Sequence, residues 1–290
     1  MRSERGLSER GLNHWLHSTN RGSPMSRHAI HLRLVISLPV AVCSLLAVAT
    51  AALAEAPPGD DKSLKTRALE MGAKLLQGNA PPARMDIYLV GFHPMKDHPD
   101  QQMEAHHYCQ QVNQDFAQCV LFDGNGSDAK LTGIEYIISE KLFDSLPEDE
   151  RDYWHPHNGE ILSGQLVAPG IPGPAEHALM KDKMNSYGKT WHVWHTGAMG
   201  EPGAALPLGP PMLAWSFNRD GEAKPGLVER RDEQVGIDTA EKRRERTDLQ
   251  SLAKPQAGVD ALRSAFPDAT PIPGVVDRNT AAAAPAAGSR

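Results

Sequence analysis

Cysteine is scarce in this chain, with three in 290 residues at positions 43, 109 and 119. Only two of them lie beyond the N-terminal segment, which excludes a four-cysteine zinc framework. An excess of positive charge is also lacking, since 30 Lys and Arg face 36 Asp and Glu. Nucleic-acid affinity is dominated by Lys and Arg neutralising phosphates, so a nucleic-acid partner is excluded. Two catalytic signatures are missing: there is no Gly-x-Ser-x-Gly elbow and no His-Glu-x-x-His. Gly188-Lys189-Thr190 imitates the end of a phosphate loop, but position 183 is Lys where Gly is required. The segment also leads into a strand, which leaves no helix N-terminus for a phosphate. What remains, 40% hydrophobic and 23% charged residues, is the composition of a soluble globular protein.

The longest uncharged stretch includes Leu34 to Leu53. Arg27, His28, His31 and Arg33 precede it as a basic region, and Ala52-Leu53-Ala54 supplies a small-x-small cleavage pattern. Residues 25–54 therefore read as a signal peptide, which predicts export to the periplasm or the cell exterior. The alternative is an uncleaved membrane anchor, because about 20 apolar residues can span a bilayer. Residues 1–24 hold Ser-Glu-Arg-Gly-Leu twice in tandem without apolar periodicity, and read as disordered or untranslated ahead of Met25. Export removes six Arg and two Glu and leaves 24 basic and 34 acidic residues, a formal charge of −10.

From Lys62 onward the pattern is that of one α+β domain, residues 62–252, with a mainly antiparallel sheet and flanking helices. Leu64, Ala68, Met71 and Leu75 recur at helical spacing, which predicts a helix over 62–77 packed on the domain. No helix of the mature chain stands out as a membrane-binding amphipath. Strands are predicted over 87–92, 104–110, 116–123, 130–138, 160–167, 190–195 and 212–217, and His93 to Pro99 reads as a loop around two prolines. Met180 and Met184, on a helix over 176–187, are assigned to the core. Lys242 to Arg246 reads as a solvated face of a charged helix over 239–252. From Pro267 to Arg290 the Pro/Ala-rich chain lacks core periodicity and reads as a disordered tail.

The polar residues are concentrated between Glu104 and Glu160. With a turn centred near Gln114, Cys109 and Cys119 fall opposite one another in a hairpin, close enough for a disulfide. The strand 130–138 is apolar on both faces and is expected to be central, covered on each side. Glu135 then lies where an isolated charge costs many kcal/mol, so it is paired, protonated or metal-bound. A structural ion pair with Arg or Lys is the plain alternative. His155-x-His157-x-x-Glu160 places two imidazoles on one face of an extended segment. Two His and a carboxylate are a common ligand set for zinc, iron or manganese. The candidate ligands are His106, His107, Glu135, His155, His157 and Glu160. Because His106 and His107 point to opposite faces, at most one of them joins the others.

Several stretches resemble the oil-body-associated protein family of plants, fungi and bacteria. They are Glu104-Ala-His-His-Tyr-Cys109, Gln118-Cys-Val-Leu-Phe-Asp123, Gly133-Ile-Glu-Tyr-Ile-Ile-Ser139, Trp154-His-Pro-His157 and Tyr187-Gly-Lys-Thr-Trp191. Leu206-Pro-Leu-Gly-Pro210 and Gly236-Ile-Asp-Thr239 extend the resemblance over nearly all of 62–250. What it implies is a lipid or membrane surface as partner, since the plant members associate with lipid droplets, and no particular reaction. This chain departs from those members in its export signal, so the droplet location itself is not carried over.

Overall fold

The computed structural model describes residues 59–77, 81–197 and 203–283. The signal segment 25–54 and residues 1–24 lie outside them. The described elements run α1 (Leu64–Leu76), β1 (Ile87–Met95), β2 (His98–Asn113), β3 (Phe116–Phe122), β4 (Leu131–Ile138), α2 (Glu140–Asp144) and α3 (Glu148–Arg151). They continue with β5 (His155–Pro156), α4 (Asn158–Leu162), α5 (Gly173–Lys183), β6 (Tyr187–His192), β7 (Met212–Leu213) and β8 (Arg219–Asp220). The last are α6 (Leu227–Val235), α7 (Thr239–Glu245), β9 (Thr270–Pro271) and α8 (Arg278–Ala283).

An antiparallel sheet in the order β1-β2-β3-β4-β6-β5, with β7 on β6, forms the body of the α+β domain. Side chains alternate across a strand, so register decides which residues share the inner face. There, Cys109 pairs with Cys119, Cys119 with Glu135 and Glu135 with Thr190. Leu89 pairs with His107 and His93 with Met103, while Gly133 pairs with His192. Ile161, Leu162, Leu166, Met180 and Met184 pack with Leu89 over this face, joined by Leu249, Val259, Ile272 and Val275.

Several expectations change. β1 runs on through His93-Pro94-Met95, where the prolines suggested a loop. The residue before a proline is biased towards extended backbone, which suits a strand equally well. Trp215 N–H donates to the Pro94 carbonyl from the side away from β2, so the missing Pro94 N–H deprives the β1–β2 ladder of nothing. The strand expected over 160–167 is replaced by α4, and extended pairing survives only at Val90 and Val167. A Cβ on Gly159 would overlap the Phe217 carbonyl oxygen and sit 2.6 Å from Asn218 Oδ1, so the short helix needs glycine to come this close. Arg246, expected on a solvated face, is buried; its Nη1 donates to the carbonyls of Ile161 at 2.9 Å and Leu166 at 2.8 Å. Its Nη2 bonds Glu176 at 2.6 Å, so this arginine ties α4 and the following loop to α5.

β4 is central as expected, but its outer face is covered only at its end, where Ile138 packs with Phe143, Trp154 and Tyr187: Ile134 and Tyr136 are each 39% exposed. The elements that cover Glu135 all approach from the inner side. α1 forms with Ser63 as its N-cap, yet none of its residues is buried, so the expected packing does not occur. The chain expected to be a tail from Pro267 remains packed to Asp277. β9 pairs with β8, and Ile272 and Val275 enter the core as two anchors too sparse to give a periodic signal. Only residues 284–290 of that stretch fall outside the described part.

Cys109 and Cys119 form a disulfide across β2 and β3, with Cα atoms 4.0 Å apart. Closing a loop of this length stabilises a fold by about 2–3 kcal/mol. The Cys109→Ser/Cys119→Ser variant should unfold at correspondingly lower denaturant, and mass spectrometry of unreduced wild type should find no free thiol at either position. Two free thiols would remove the bridge.

Candidate metal centre

Five side chains from four parts of the sheet and its cover meet around Glu135. His107 Nε2 lies 2.8 Å and His93 Nε2 3.8 Å from its Oε2. His157 Nε2 lies 3.3 Å and His155 Nε2 3.7 Å from its Oε1. Glu160 Oε2, one helical turn beyond His157, is 3.9 Å from His157 Nε2. All six residues are at most 3% exposed. His93 and His107 arrive from the β1–β2 hairpin, Glu135 from β4, His155 from β5 and His157 from the N-terminal boundary of α4.

Hydrogen bonds on the far side of the rings decide which nitrogens face the carboxylate. His107 Nδ1 is 3.0 Å from the Ala105 carbonyl, which can only accept, so Nδ1 carries the proton. Ser186 Oγ donates to the Lys183 carbonyl at 2.7 Å, so it accepts from His157 Nδ1, also at 2.7 Å. In the neutral tautomers so defined, Nε2 of both rings is a lone pair directed at Glu135. Acceptors facing each other at 2.8 and 3.3 Å require positive charge between or beside them, from added protons or from a metal ion. Histidine ligands of metals are oriented in this way, the second ring nitrogen donating to a carbonyl or hydroxyl. His93 Nδ1 is likewise engaged, 3.0 Å from His192 Nε2. His155 is fully buried, and neither of its ring nitrogens has a hydrogen-bond partner. Buried polar atoms are rarely left so, because each costs about 1–3 kcal/mol.

The electrostatics suit a cation. Burial pushes the Glu135 carboxyl up, but His107, His157 and His155, in the protonated form whose positive charge a bound cation would replace, outweigh it and hold the group well below the usual carboxylate range. Burial, with the Glu135 charge added, pushes Glu160 well above that range. Burial lowers His93 strongly, His155 to about 3 and His192 to about 4, each against the attraction of Glu135. These imidazoles are therefore neutral near pH 7, the form that binds metals. The ligand spacings also fit. Ligand atoms about 2.0–2.1 Å from a tetrahedral ion are roughly 3.3 Å apart, and the imidazole-to-carboxylate separations here run from 2.8 to 3.9 Å. A cavity of about 10 Å³, room for one water-sized particle, lies among His93, His107, Glu135, His157 and Glu160. Leu89, Ile137, Leu166 and Lys183 complete its wall.

Of the ligands expected from the sequence, His107, Glu135, His155 and His157 converge and Glu160 borders them. His106 does not: it lies on the other face of β2, with Tyr88 Oη 2.7 Å from its Nδ1 and Glu104 Oε1 2.9 Å from its Nε2. Burial, followed by the Tyr108 charge, pushes the Tyr88 hydroxyl up to about 12, so it stays protonated beside His106. His93 and His192 were missed. The parity of Leu89, Gly91 and His93 in one strand was the available signal for the first, and the loop reading concealed it.

A family model described as a protein of unknown function, DUF1264, matches residues 79–250, which contain the whole cluster. Oil body-associated protein 2A of Zea mays is 38% identical over 205 residues, covering 70% of this chain and 80% of that protein. The 2A protein of Arabidopsis thaliana is 37% identical over 206 residues, covering 70% and 82%. Oil body-associated protein 1A of Zea mays is 35% identical over 208 residues, covering 72% and 84%. No solved structure matches the chain. On the extent of these matches, the chain belongs to the oil-body-associated protein family.

Proposed function

We propose that this is a metal-binding domain that holds a transition-metal ion, zinc, iron or manganese, between Glu135 and the surrounding histidines. The observation that carries the reading is the acceptor pairing: His107 Nε2 and His157 Nε2, each with its proton directed outward, face an ionised carboxylate in a buried site. A cation there satisfies all three groups, and the unpartnered His155 supplies a further neutral ligand. Imidazole and carboxylate ligands are shared by these three metals. Protein purified without a polyhistidine tag is expected to contain metal by elemental analysis. The His155→Ala/His157→Ala variant should lose metal, and unchanged content in that variant would remove these ligands.

A second reading, with a lipid surface as partner and export as the route, has its own support. α1, which the sequence alone did not mark as a membrane-binding helix, exposes Leu64, Leu69, Met71, Leu75 and Leu76, and Lys65, Arg67 and Lys74 accompany them in the same helix. Apolar residues with Lys and Arg suit a helix lying in an anionic lipid interface, and the relatives are named for oil bodies. Among the described residues, no helix is long and apolar enough to cross a membrane. Residues 25–54 would direct the chain to the periplasm or cell exterior, or anchor it if uncleaved. The mature chain should sediment with vesicles containing anionic phospholipid and be released by high salt. Absence of binding at every salt concentration would remove this reading.

A further inference from the structure

The ligands do not form one shell. They fall into two groups of three, His93, His107 and Glu135 in one and Glu135, His155 and His157 in the other, with Glu135 the only residue common to both. Within each group the ligand atoms lie within 4.8 Å of one another. The division follows the two oxygens of the carboxylate: Oε2 faces the hairpin pair, His93 and His107, and Oε1 faces His155 and His157. We propose that the centre is dinuclear, with two divalent ions bridged by the Glu135 carboxylate, one on the hairpin histidines and one on the His155–His157 pair.

This rests on the metal-binding reading above and adds to it the number and arrangement of the ions. A zinc-type ion takes three or four protein ligands. Four histidines with Glu135 and Glu160 exceed a tetrahedral shell, and their separation into two triads suits two ions that share carboxylates better than one six-coordinate ion. Two-metal sites hold their ions about 3.5–4 Å apart, a span that a carboxylate bridges through its two oxygens. Glu160 is placed to help. Its Oε2 lies 3.9 Å from His157 Nε2, and its other oxygen reaches towards the hairpin. A methyl on Gly91 would sit 3.6 Å from Glu160 Oε1 and 3.8 Å from His107 Cε1. The orphaned ring nitrogens of His155 are the independent mark of the second position, because the hairpin triad leaves that buried imidazole without any partner.

The test uses the tag-free full chain, stripped with chelator and reloaded with Mn2+, with ions per chain counted by elemental analysis. Electron paramagnetic resonance at low temperature reports whether the ions are magnetically coupled. Two Mn2+ per chain with a coupled spectrum are expected. His155→Gln and His93→Gln/His107→Gln should each fall to one uncoupled ion. Glu135→Gln, close in size and so the safer variant for folding, should abolish the coupling. One ion per chain in wild type, lost from both half-site variants, would overturn the dinuclear centre while leaving the metal-binding reading in place. No tight Mn2+ or Zn2+ in wild type would end both.

Discussion

Stripping metal from the folded domain is expected to lower its melting temperature by roughly 8–16 °C. A ligand present at a thousand times its dissociation constant stabilises the native state by about 4 kcal/mol. For a domain of this size each kcal/mol corresponds to about 2–4 °C. The physical source is local. With the ion gone, His107 and His157 must take up protons, or leave lone pairs opposed to Glu135 at 2.8 and 3.3 Å in a site closed to solvent. Acid should act in the same direction. His155 and His192, with folded values of about 3 and about 4 against an ordinary 6.5, stay neutral where the unfolded chain binds protons. Since the unfolded state binds more protons in that window, stability falls as pH drops below about 6.5 and goes on falling towards about 3–4. Calorimetry with chelator and with added Mn2+ or Zn2+, repeated from pH 7.5 to 5, measures both effects. A melting temperature indifferent to chelator at neutral pH would count against the ion.

A single methyl group on β6 should do comparable damage. Gly188 pairs with Ile137 on one side and His155 on the other. A Cβ there would overlap Glu135 Oε1 and lie 2.6 Å from His155 Nε2 and 2.7 Å from its Cε1. The carboxylate and the imidazole would both have to move, and they are the two groups that the proposed ion needs in place. Gly188→Ala should therefore weaken metal affinity by at least the roughly 10–100-fold that follows disturbance of a ligand's support. Overpacking of this kind adds about 1–3 kcal/mol of destabilisation. Gly173→Ala, where a Cβ meets nothing within 4 Å, is the matched control and should bind as wild type does. Equal metal affinity in the two variants would mean that Gly188 has no bearing on the cluster.

Much of this was legible in the residues because strand alternation is a strong signal. Parity alone places Cys109 and Glu135 on the inner face, and the hairpin turn aligns Cys109 with Cys119. The burial of Glu135 followed from the apolar positions around it in β4. The order of the sheet beyond β4 did not follow, since the pairing of Gly133 with His192 is a contact between distant segments that no local pattern announces. α4 is five residues long, too short for a helical period to stand out, so His155-x-His157 converges by a strand-to-helix change and not through one extended face. The covering of both β4 faces was inferred from hydrophobicity, which Ile134 and Tyr136 satisfy while exposed. His93 was hidden by the proline after it.

The central claim is that Glu135 and its histidines bind metal, and anomalous diffraction at the absorption edge of the bound element tests it most directly. Crystals of the full chain grown with Mn2+ or Zn2+ should show anomalous density about 2.0–2.2 Å from a Glu135 oxygen and from Nε2 of the facing histidines. A cluster that shows no anomalous density in crystals soaked with either metal, with water or direct hydrogen bonds joining the rings to the carboxylate, would contradict it.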